Sequence, residues 1–249
     1  MGDSSYGEPI WAWLMKPGPS DLDTLSRQAW VSAEPVQPAV EGCPLPEDWD
    51  RLSYAAFDVE TTGLYPGKDR ILEVGIVLFS FDQEGAITEE QSYASLVNPG
   101  IPVPASSSAI HGITDLDVAS APLFHEIAAE VARLLAGRVF VAHNAGFDFG
   151  FLKQEFNRII TQPQEATLWT GDEQTPEILS FTQSLTTMTL ADTLSLLKLA
   201  NPALLSYNLG KAAFVLGIET GTSHRALDDA RTCMNIFAYA ARKLTGKCP

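Results

Sequence analysis

The sequence has few cysteines, and they form no recognisable set. The chain of 249 residues contains three, Cys43, Cys233 and Cys248, and their positions match no metal-ligand spacing. An odd number of cysteines cannot pair completely within one chain. We therefore expect free thiols in a reducing cytoplasm and not a secreted, disulfide-bonded protein.

Long apolar runs and targeting signals are also lacking. No run of apolar residues approaches the roughly 18 needed to span a bilayer, so the sequence predicts a soluble protein with no membrane partner. The first residues, MGDSSYGEPIW, contain neither the basic nor the apolar region of a secretory signal. Both observations favour a cytoplasmic location.

Positive charge is scarce. Lys and Arg number 16 against 31 Asp and Glu, which gives a net charge of −15 and a sequence pI near 4.5. Nucleic-acid-binding proteins that depend on bulk electrostatic attraction are usually basic. A polyanionic ligand must therefore be held by something other than overall charge. With 45% hydrophobic residues, the chain can bury one large core and carry an appendage.

The appendage is predicted at the N-terminus. Residues 1–50 contain nine acidic and two basic residues, together with seven prolines that interrupt any long helix. We predict an irregular, acidic extension over residues 1–50 and a globular domain over residues 51–249. Two roles are equally open for the extension: an arm packed on the domain through its tryptophans, or a tail that binds a partner.

The order of the predicted elements indicates the fold class. Three predicted strands come first and are joined by short Gly-containing turns; they are YAAFDV, ILEVGIVLF and SYASLV. Helices then alternate with a short buried strand, VFVAH, and a polar segment over residues 161–187 is predicted to be irregular. Hairpin strands followed by crossover helices predict an α/β domain with a mixed sheet.

Two acidic residues follow the first predicted strand. In the stretch FDVETTGL, Asp58 and Glu60 come directly after YAAF. Alternate residues of a strand point to the same face, so the two carboxylates are predicted side by side. Each then raises the pKa of the other unless a cation lies between them. A solvated surface pair is the alternative, and this motif alone does not exclude it.

A third acidic residue lies where a strand is predicted to lead into a helix. Asp148, in VAHNAGFDFGFL, precedes Phe151 and Leu152 by three and four residues, which places it on the inward face of the helix. The C-terminal ends of strands are where α/β sheets gather functional groups. The alternative role is stabilisation of the helix dipole.

Helical phase distinguishes two adjacent aspartates in the last predicted helix. Asp229 shares a face with Cys233 and Ile236, whereas Asp228 lies on a polar stripe. A carboxylate on a packing face is costly unless it is paired, protonated or bound to a metal. His224 precedes Asp229 by five residues, at or just before the helix start, from where both side chains can reach one pocket.

The four acidic residues share one ligand chemistry. Their hard oxygen atoms favour Mg²⁺ or Mn²⁺ over zinc. Four converging carboxylates repel one another, and two divalent cations cancel their formal charge. Two such cations about 3.5–4 Å apart stabilise the entering and the leaving oxygen of a phosphodiester. The sequence therefore predicts two divalent cations, Mg²⁺ or Mn²⁺, held by Asp58, Glu60, Asp148 and Asp229.

Three stretches together resemble a known family. DVETTGL, HNAGFDFGFL and HRALDDA are similar to the three motifs of the DnaQ-like, DEDDh-type 3′–5′ exonucleases, which include the proofreading epsilon subunit of bacterial DNA polymerase III, ribonuclease T and oligoribonuclease. SAIHGIT and LADT also resemble family segments. The resemblance covers about residues 54–244 and implies a ribonuclease H-like mixed sheet flanked by helices.

The resemblance also implies a role for each matching residue. Asp58, Glu60 and Asp229 would hold one cation, and Asp58 would bridge to a second cation near Asp148. His224 would act as the general base that accepts a proton from the attacking water. Substrate contacts are expected from the remaining motif residues, which are Thr61, Thr62, Gly63, Leu64, His111, Asn144 and Phe147.

The expected activity is metal-dependent release of nucleoside monophosphates from the 3′ end of single-stranded DNA, in proofreading or repair. RNA or short oligonucleotides are the close alternative, because recognition of the 2′-hydroxyl depends on pocket shape. A non-catalytic docking subunit is a third hypothesis, and the presence of all four acids and the histidine argues against it. The acidic extension motivates a DNA polymerase, or another nucleic-acid enzyme, as a partner.

Overall fold

The computed structural model describes residues 30–31, 43–161 and 175–246. Its strands are β1 (Trp30–Val31), β2 (Tyr54–Thr61), β3 (Ile71–Phe81), β4 (Ile87–Leu96), β5 (Val139–Ala142) and β6 (Leu190–Asp192). Its helices are α1 (Ala105–His111), α2 (Asp115–Val118), α3 (Phe124–Leu135), α4 (Ala145–Thr161), α5 (Thr175–Ser184), α6 (Thr193–Ala200), α7 (Leu209–Leu216) and α8 (Ala226–Thr245).

The strands form one mixed sheet in the order β1-β6-β5-β2-β3-β4. Strands β2, β3 and β4 are antiparallel neighbours, whereas β5 runs parallel to both β2 and β6. The hairpin between β3 and β4 is closed by Asp82, whose carboxylate accepts the N–H groups of Glu84 and Ala86 at 3.0 and 2.7 Å. The predicted α/β class with a mixed sheet is confirmed.

The two faces of the sheet are covered by different helices. Phe57 and Val59 of β2 pack with α3, α4 and α5 on one face. Tyr54 and Ala56 pack with α6 and α8 on the other face. Because successive residues of a strand alternate in direction, the even-numbered acidic residues at the end of β2 lie on the face that α8 covers.

A glycine brings helix α8 close to the sheet. Gly75 of β3 is the direct partner of Asp58 in the antiparallel ladder. A Cβ atom at Gly75 would lie 2.2 Å from the backbone carbon of Ala226, at the first turn of α8. Only a residue without a side chain allows this approach, so Gly75 sets the distance between α8 and the end of β2.

The prediction that residues 161–187 are irregular is wrong for α5. This helix places Ile178 and Phe181 in the core on the α3 and α4 side, followed by Leu185. The apolar residues recur at helical spacing, but the segment is short and otherwise polar, so its periodicity is weak. Residues 162–174 of the same segment lie outside the described residues.

Part of the predicted extension packs on the domain. Cys43, Leu45 and Trp49 are buried in the core beside α8. The centroids of the Trp49 and Phe81 rings are 4.9 Å apart. Residues Trp30–Val31 form the edge strand β1, so the prediction of an irregular extension is wrong there. Residues 1–29 and 32–42 lie outside the described part, and the boundary at residue 51 stays a prediction. In the described ranges, no helix has the length and apolar character to cross a membrane.

The Gly75→Ala substitution is expected to destabilise the protein, because the new methyl group overlaps the Ala226 backbone. Overpacking of this kind lowers the free energy of unfolding by about 3 kcal/mol, which urea-induced unfolding can measure. Gly67→Ala is the matched control, because a Cβ there meets no atom within 4 Å. Equal stability of the two variants would contradict the close contact between α8 and β3.

Candidate active site

The site begins at the end of β2, where acidic residues face each other across two strands. Asp58 is paired with Gly75, and Glu60 is paired with Glu73 of β3. All three acids point toward α8, because they are even-numbered on β2 or directly opposite such residues. The register of the ladder shifts between Glu60 and Thr61, and Thr61 then pairs with Ile71.

Asp148 reaches the same place from helix α4. Strand β5 pairs with β2 only as far as Ala56, so the next part of β2 has no neighbouring strand on that side. The Val59 N–H group instead donates to Asp148 Oδ1 at 3.2 Å. Asp148 is 3% exposed. The carboxylate therefore continues the hydrogen bonding of β2 and is placed beside Asp58.

The turn that carries Asp148 is held by Asp192, a residue to which sequence analysis assigned no role. Its Oδ1 accepts the N–H groups of Asn144 and Ala145 at 2.8 and 3.2 Å. Asn144 has a positive φ of 68°. Beside it, His143 contacts Thr193 Oγ1 at 2.9 Å and the Tyr207 carbonyl at 2.7 Å. Asp192 of the LADT stretch is thus hydrogen-bonded to the HNAGFD stretch. The similarity of both stretches to family segments was the signal in the sequence that could have pointed to Asp192.

Asp229 and His224 lie at the start of α8. Asp229 is in the first turn of the helix, and its Oδ2 accepts the His224 N–H at 2.9 Å. His224 is exposed and has a φ of 62°. Glu60, His224 and Asp229 each offer a ligand atom, and these atoms lie within 4.8 Å of one another. The predicted helical phase is therefore consistent with the placement of Asp229.

Glu73 is the acidic residue at this site that sequence analysis missed. It is 3% exposed and is bound by the Arg225 guanidinium, with 2.7 Å between Arg225 Nη2 and Glu73 Oε1. The signal was a single glutamate inside the apolar run ILEVGIVLF. Its partner is distant in the sequence, so no spacing rule connects the two.

Burial and mutual repulsion raise the pKa of the clustered acids. Burial raises the pKa of Asp58 well above its usual value, and the nearby charges of Asp148, Asp229 and Glu60 raise it further. Burial also raises the pKa of Asp148, opposed by the Val59 N–H. Burial, followed by the charge of Asp229, raises the pKa of Glu60 to about 7. The pKa of Asp229 is raised chiefly by burial as well.

This arrangement suits hard divalent cations. Glu60 and Asp229 offer ligand atoms within 4.8 Å of each other, and Asp148 binds the Val59 N–H next to Asp58. The donors of all four acids are carboxylate oxygens. Clustered carboxylates that repel one another are stabilised by a bound cation. The residues present therefore fit an oxygen-liganded metal such as Mg²⁺ or Mn²⁺.

The residues predicted to contact the terminal nucleotide form the turn after β2. The hydroxyl of Thr61 donates to the Gly63 carbonyl at 2.6 Å. Thr62 is buried, and its hydroxyl accepts the Arg70 N–H at 3.0 Å. Gly63 lies against the carboxylate of Asp69. Leu64 is 63% exposed at the rim. Substrate contacts from this turn stay a prediction.

Two other predicted contact residues, His111 and Phe147, lie on α1 and α4. His111 is buried, its Nδ1 accepts the Ile113 N–H at 3.0 Å, and its Nε2 has no hydrogen-bond partner among the described residues. Burial is the main cause that lowers the pKa of His111. Phe147 is half-buried and packs on Phe151, with 5.0 Å between the ring centroids. Contacts from His111 and Phe147 to a substrate stay a prediction.

Comparison with known proteins identifies the family. The model of a family described as "Exonuclease" (RNase_T) matches residues 55–237. The chain belongs to this exonuclease family. An exonuclease of this family is a hydrolase, and the predicted enzyme class is confirmed.

Individual relatives agree with the family assignment. The exonuclease chain is 33% identical over 197 residues to DNA polymerase III subunit epsilon of Treponema pallidum, which covers 76% of this chain and 79% of that protein. It is 33% identical over 191 residues to the 3′–5′ exonuclease DinG of Staphylococcus haemolyticus, which covers 77% of this chain but 18% of that protein.

A solved structure shows the same fold. E. coli exonuclease I in complex with a dT13 oligonucleotide superposes with a TM-score of 0.58 at 19% identity, covering 76% of this chain and 40% of that chain. The predicted ribonuclease H-like architecture is confirmed by this similarity. The exonuclease chain thus spans most of the Treponema protein and less than half of both DinG and exonuclease I.

The stability of the metal-free exonuclease is expected to fall as pH rises from 4.5 to about 7. The lower limit is the ordinary pKa of a glutamate, and the upper limit is the raised pKa of Glu60. In this window the folded protein retains a proton that the unfolded chain has released, so rising pH favours unfolding. Asp58, Asp148 and Asp229 add to the same trend. Thermal unfolding with a chelator measures the effect, and added Mg²⁺ is expected to remove most of it.

Two variants make this test specific. Glu60→Gln removes one of the titrating groups and is expected to flatten the pH dependence. Glu130→Gln is the control, because Glu130 is a partly exposed residue of α3 whose pKa is lowered by Arg133, outside this window. A melting temperature that rises with pH in the metal-free protein would contradict the proposed repulsion.

Proposed function

We propose that this chain is a 3′–5′ exonuclease that releases nucleoside monophosphates from single-stranded DNA in the presence of divalent cations. One observation carries the proposal: the acids of β2, α4 and α8 interact at the end of β2, with His224 beside them, in a chain of the exonuclease family. The 3′–5′ direction is supported by the relative named for that activity.

The residues divide into two roles. Asp58, Glu60, Asp148 and Asp229 would hold two cations, Mg²⁺ or Mn²⁺. When bound, such cations supply a Lewis acid for phosphodiester hydrolysis. His224 is exposed next to this cluster and anchored through its own N–H to Asp229, which supports a role for its imidazole in accepting a proton from the attacking water. Imidazole is suited to proton transfer near neutral pH.

Substrate, partner and location are proposed on separate grounds. Exonuclease I, which shares the fold, was solved with a dT13 oligonucleotide, which favours single-stranded DNA. The relative named as a DNA polymerase III subunit favours a proofreading role and a polymerase partner. The acidic composition agrees with a tethered enzyme, because bulk attraction to DNA is weak. Cys43 and Cys233 are free and buried, which favours the cytoplasm.

Incubation with 5′-labelled oligonucleotides tests the proposal directly. We expect stepwise shortening of single-stranded DNA from its 3′ end with Mg²⁺ or Mn²⁺, faster than that of RNA of the same sequence, and none with a chelator. Asp58→Asn is expected to abolish the reaction. The matched control, Asp82→Asn, alters a turn at the opposite end of β3 and is expected to remain active. Internal cleavage fragments would refute the exonuclease assignment.

Removal of the imidazole tests the role of His224. His224→Ala is expected to lower kcat by about 10²–10⁴-fold, because the proton acceptor is lost while the four carboxylates remain. Mn²⁺ binding, followed by titration calorimetry, is expected to persist. His125→Ala, on the distant helix α3, is the control. Undiminished turnover in the His224 variant would exclude the histidine from the reaction.

A further inference from the structure

Glu73 is the acidic residue of the site with a complete set of protein partners. Both of its oxygens lie 3.2 Å from Arg225 Nε, and Oε1 lies 2.7 Å from Arg225 Nη2. Its Oε2 also accepts the Ala226 N–H at 3.1 Å. A carboxylate with these donors has no need of a metal ion, in contrast to Glu60 directly opposite.

The donors of Glu73 come directly after His224, the proposed general base. Arg225 and Ala226 follow His224 in the chain, and His224 has a positive φ, which is uncommon for residues other than glycine. Arg225 occupies the N-cap position of α8, but no side-chain hydrogen bond caps the helix from there. Glu73 supplies that acceptor from the sheet. The backbone after His224 is therefore fixed by Glu73, and the His224 N–H is fixed by Asp229.

The pair also balances charge within the site. Glu73 lies directly opposite Glu60 in the ladder between β2 and β3, and Arg225 Nη2 lies 2.7 Å from Glu73 Oε1. Without Arg225, a fifth negative charge would act on the cluster. With Arg225 in place, that charge is neutralised locally, and the four remaining carboxylates match the charge of two divalent cations.

We propose that Glu73 and Arg225 form a positioning pair that holds His224 against the acid cluster and keeps the charge of the metal site at four carboxylates. The inference rests on the proposed function of His224. An ordinary structural ion pair is the competing explanation, since buried pairs also contribute to stability. The two explanations predict different kinetics and different metal affinities.

The first test compares Glu73→Gln, Arg225→Gln and the double variant. At saturating Mn²⁺ and oligonucleotide, each is expected to lower kcat by about 10–100-fold, because a displacement of about 1 Å has an effect of this size. KM for the oligonucleotide is expected to remain close to that of the parent protein. Glu89→Gln is the matched control: it breaks the exposed bond from Arg231 of α8 to β4 and is expected to leave kcat unchanged.

The second readout is Mn²⁺ affinity, which does not depend on turnover. Glu73→Gln leaves the Arg225 charge unbalanced and is expected to weaken Mn²⁺ binding. Arg225→Gln leaves the Glu73 charge unbalanced and is expected to strengthen it. The double variant is expected to return close to the parent value. Loss of structure alone would weaken binding in all three, and that result would overturn the charge-balancing role.

The third readout places Glu73→Gln in a His224→Ala background. If Glu73 acts through His224, the second substitution adds no further loss of kcat, because the positioned group is already absent. A multiplicative loss would overturn the positioning role. Thermal unfolding shows whether each variant is folded. If Arg225→Gln does not fold, Glu73→Gln alone still allows both kinetic tests, which are its kcat and its effect in the His224→Ala background. An inactive parent protein would instead count against the proposed function.

Discussion

The repulsion among the clustered carboxylates at the end of β2 is the constraint on which the site depends. Asp58 is surrounded by the charges of Asp148, Asp229 and Glu60, so the native state of the metal-free chain contains an unfavourable interaction. Folding must supply enough favourable packing elsewhere to hold these groups together. Two apolar cores, one on each face of the sheet, provide that packing.

Two local features force the acids into one place. The absence of a side chain at Gly75 lets α8 approach β3 and bring Asp229 toward Asp58. The early end of β5 leaves the Val59 N–H free to bind Asp148. Acids from the helices on both faces of the sheet thus meet at the end of β2. The site is therefore a property of the whole α/β domain and not of any one segment.

Much of this arrangement was predictable from the sequence, and the rest was not, for physical reasons. Strand alternation predicted that Asp58 and Glu60 share a face, and helical phase selected Asp229 over Asp228. Local periodicity cannot reveal contacts between distant segments, so the pairing of Glu73 with Arg225 became evident only from the fold. Helix α5 was missed because its apolar residues are few and its buried face depends on neighbours that are remote in sequence.

The burial of Trp49 has a practical consequence for shortened versions of this protein. Trp49 covers Phe81 and Tyr54, which belong to an aromatic cluster with Phe79 and Phe237. A truncation that starts at residue 51 would expose these rings to water and cost about 3–5 kcal/mol, the usual penalty for removing a buried tryptophan. Any deletion designed to remove the acidic arm should therefore retain the chain from Trp30 onward, which also keeps strand β1, so that aggregation is not mistaken for loss of a binding partner.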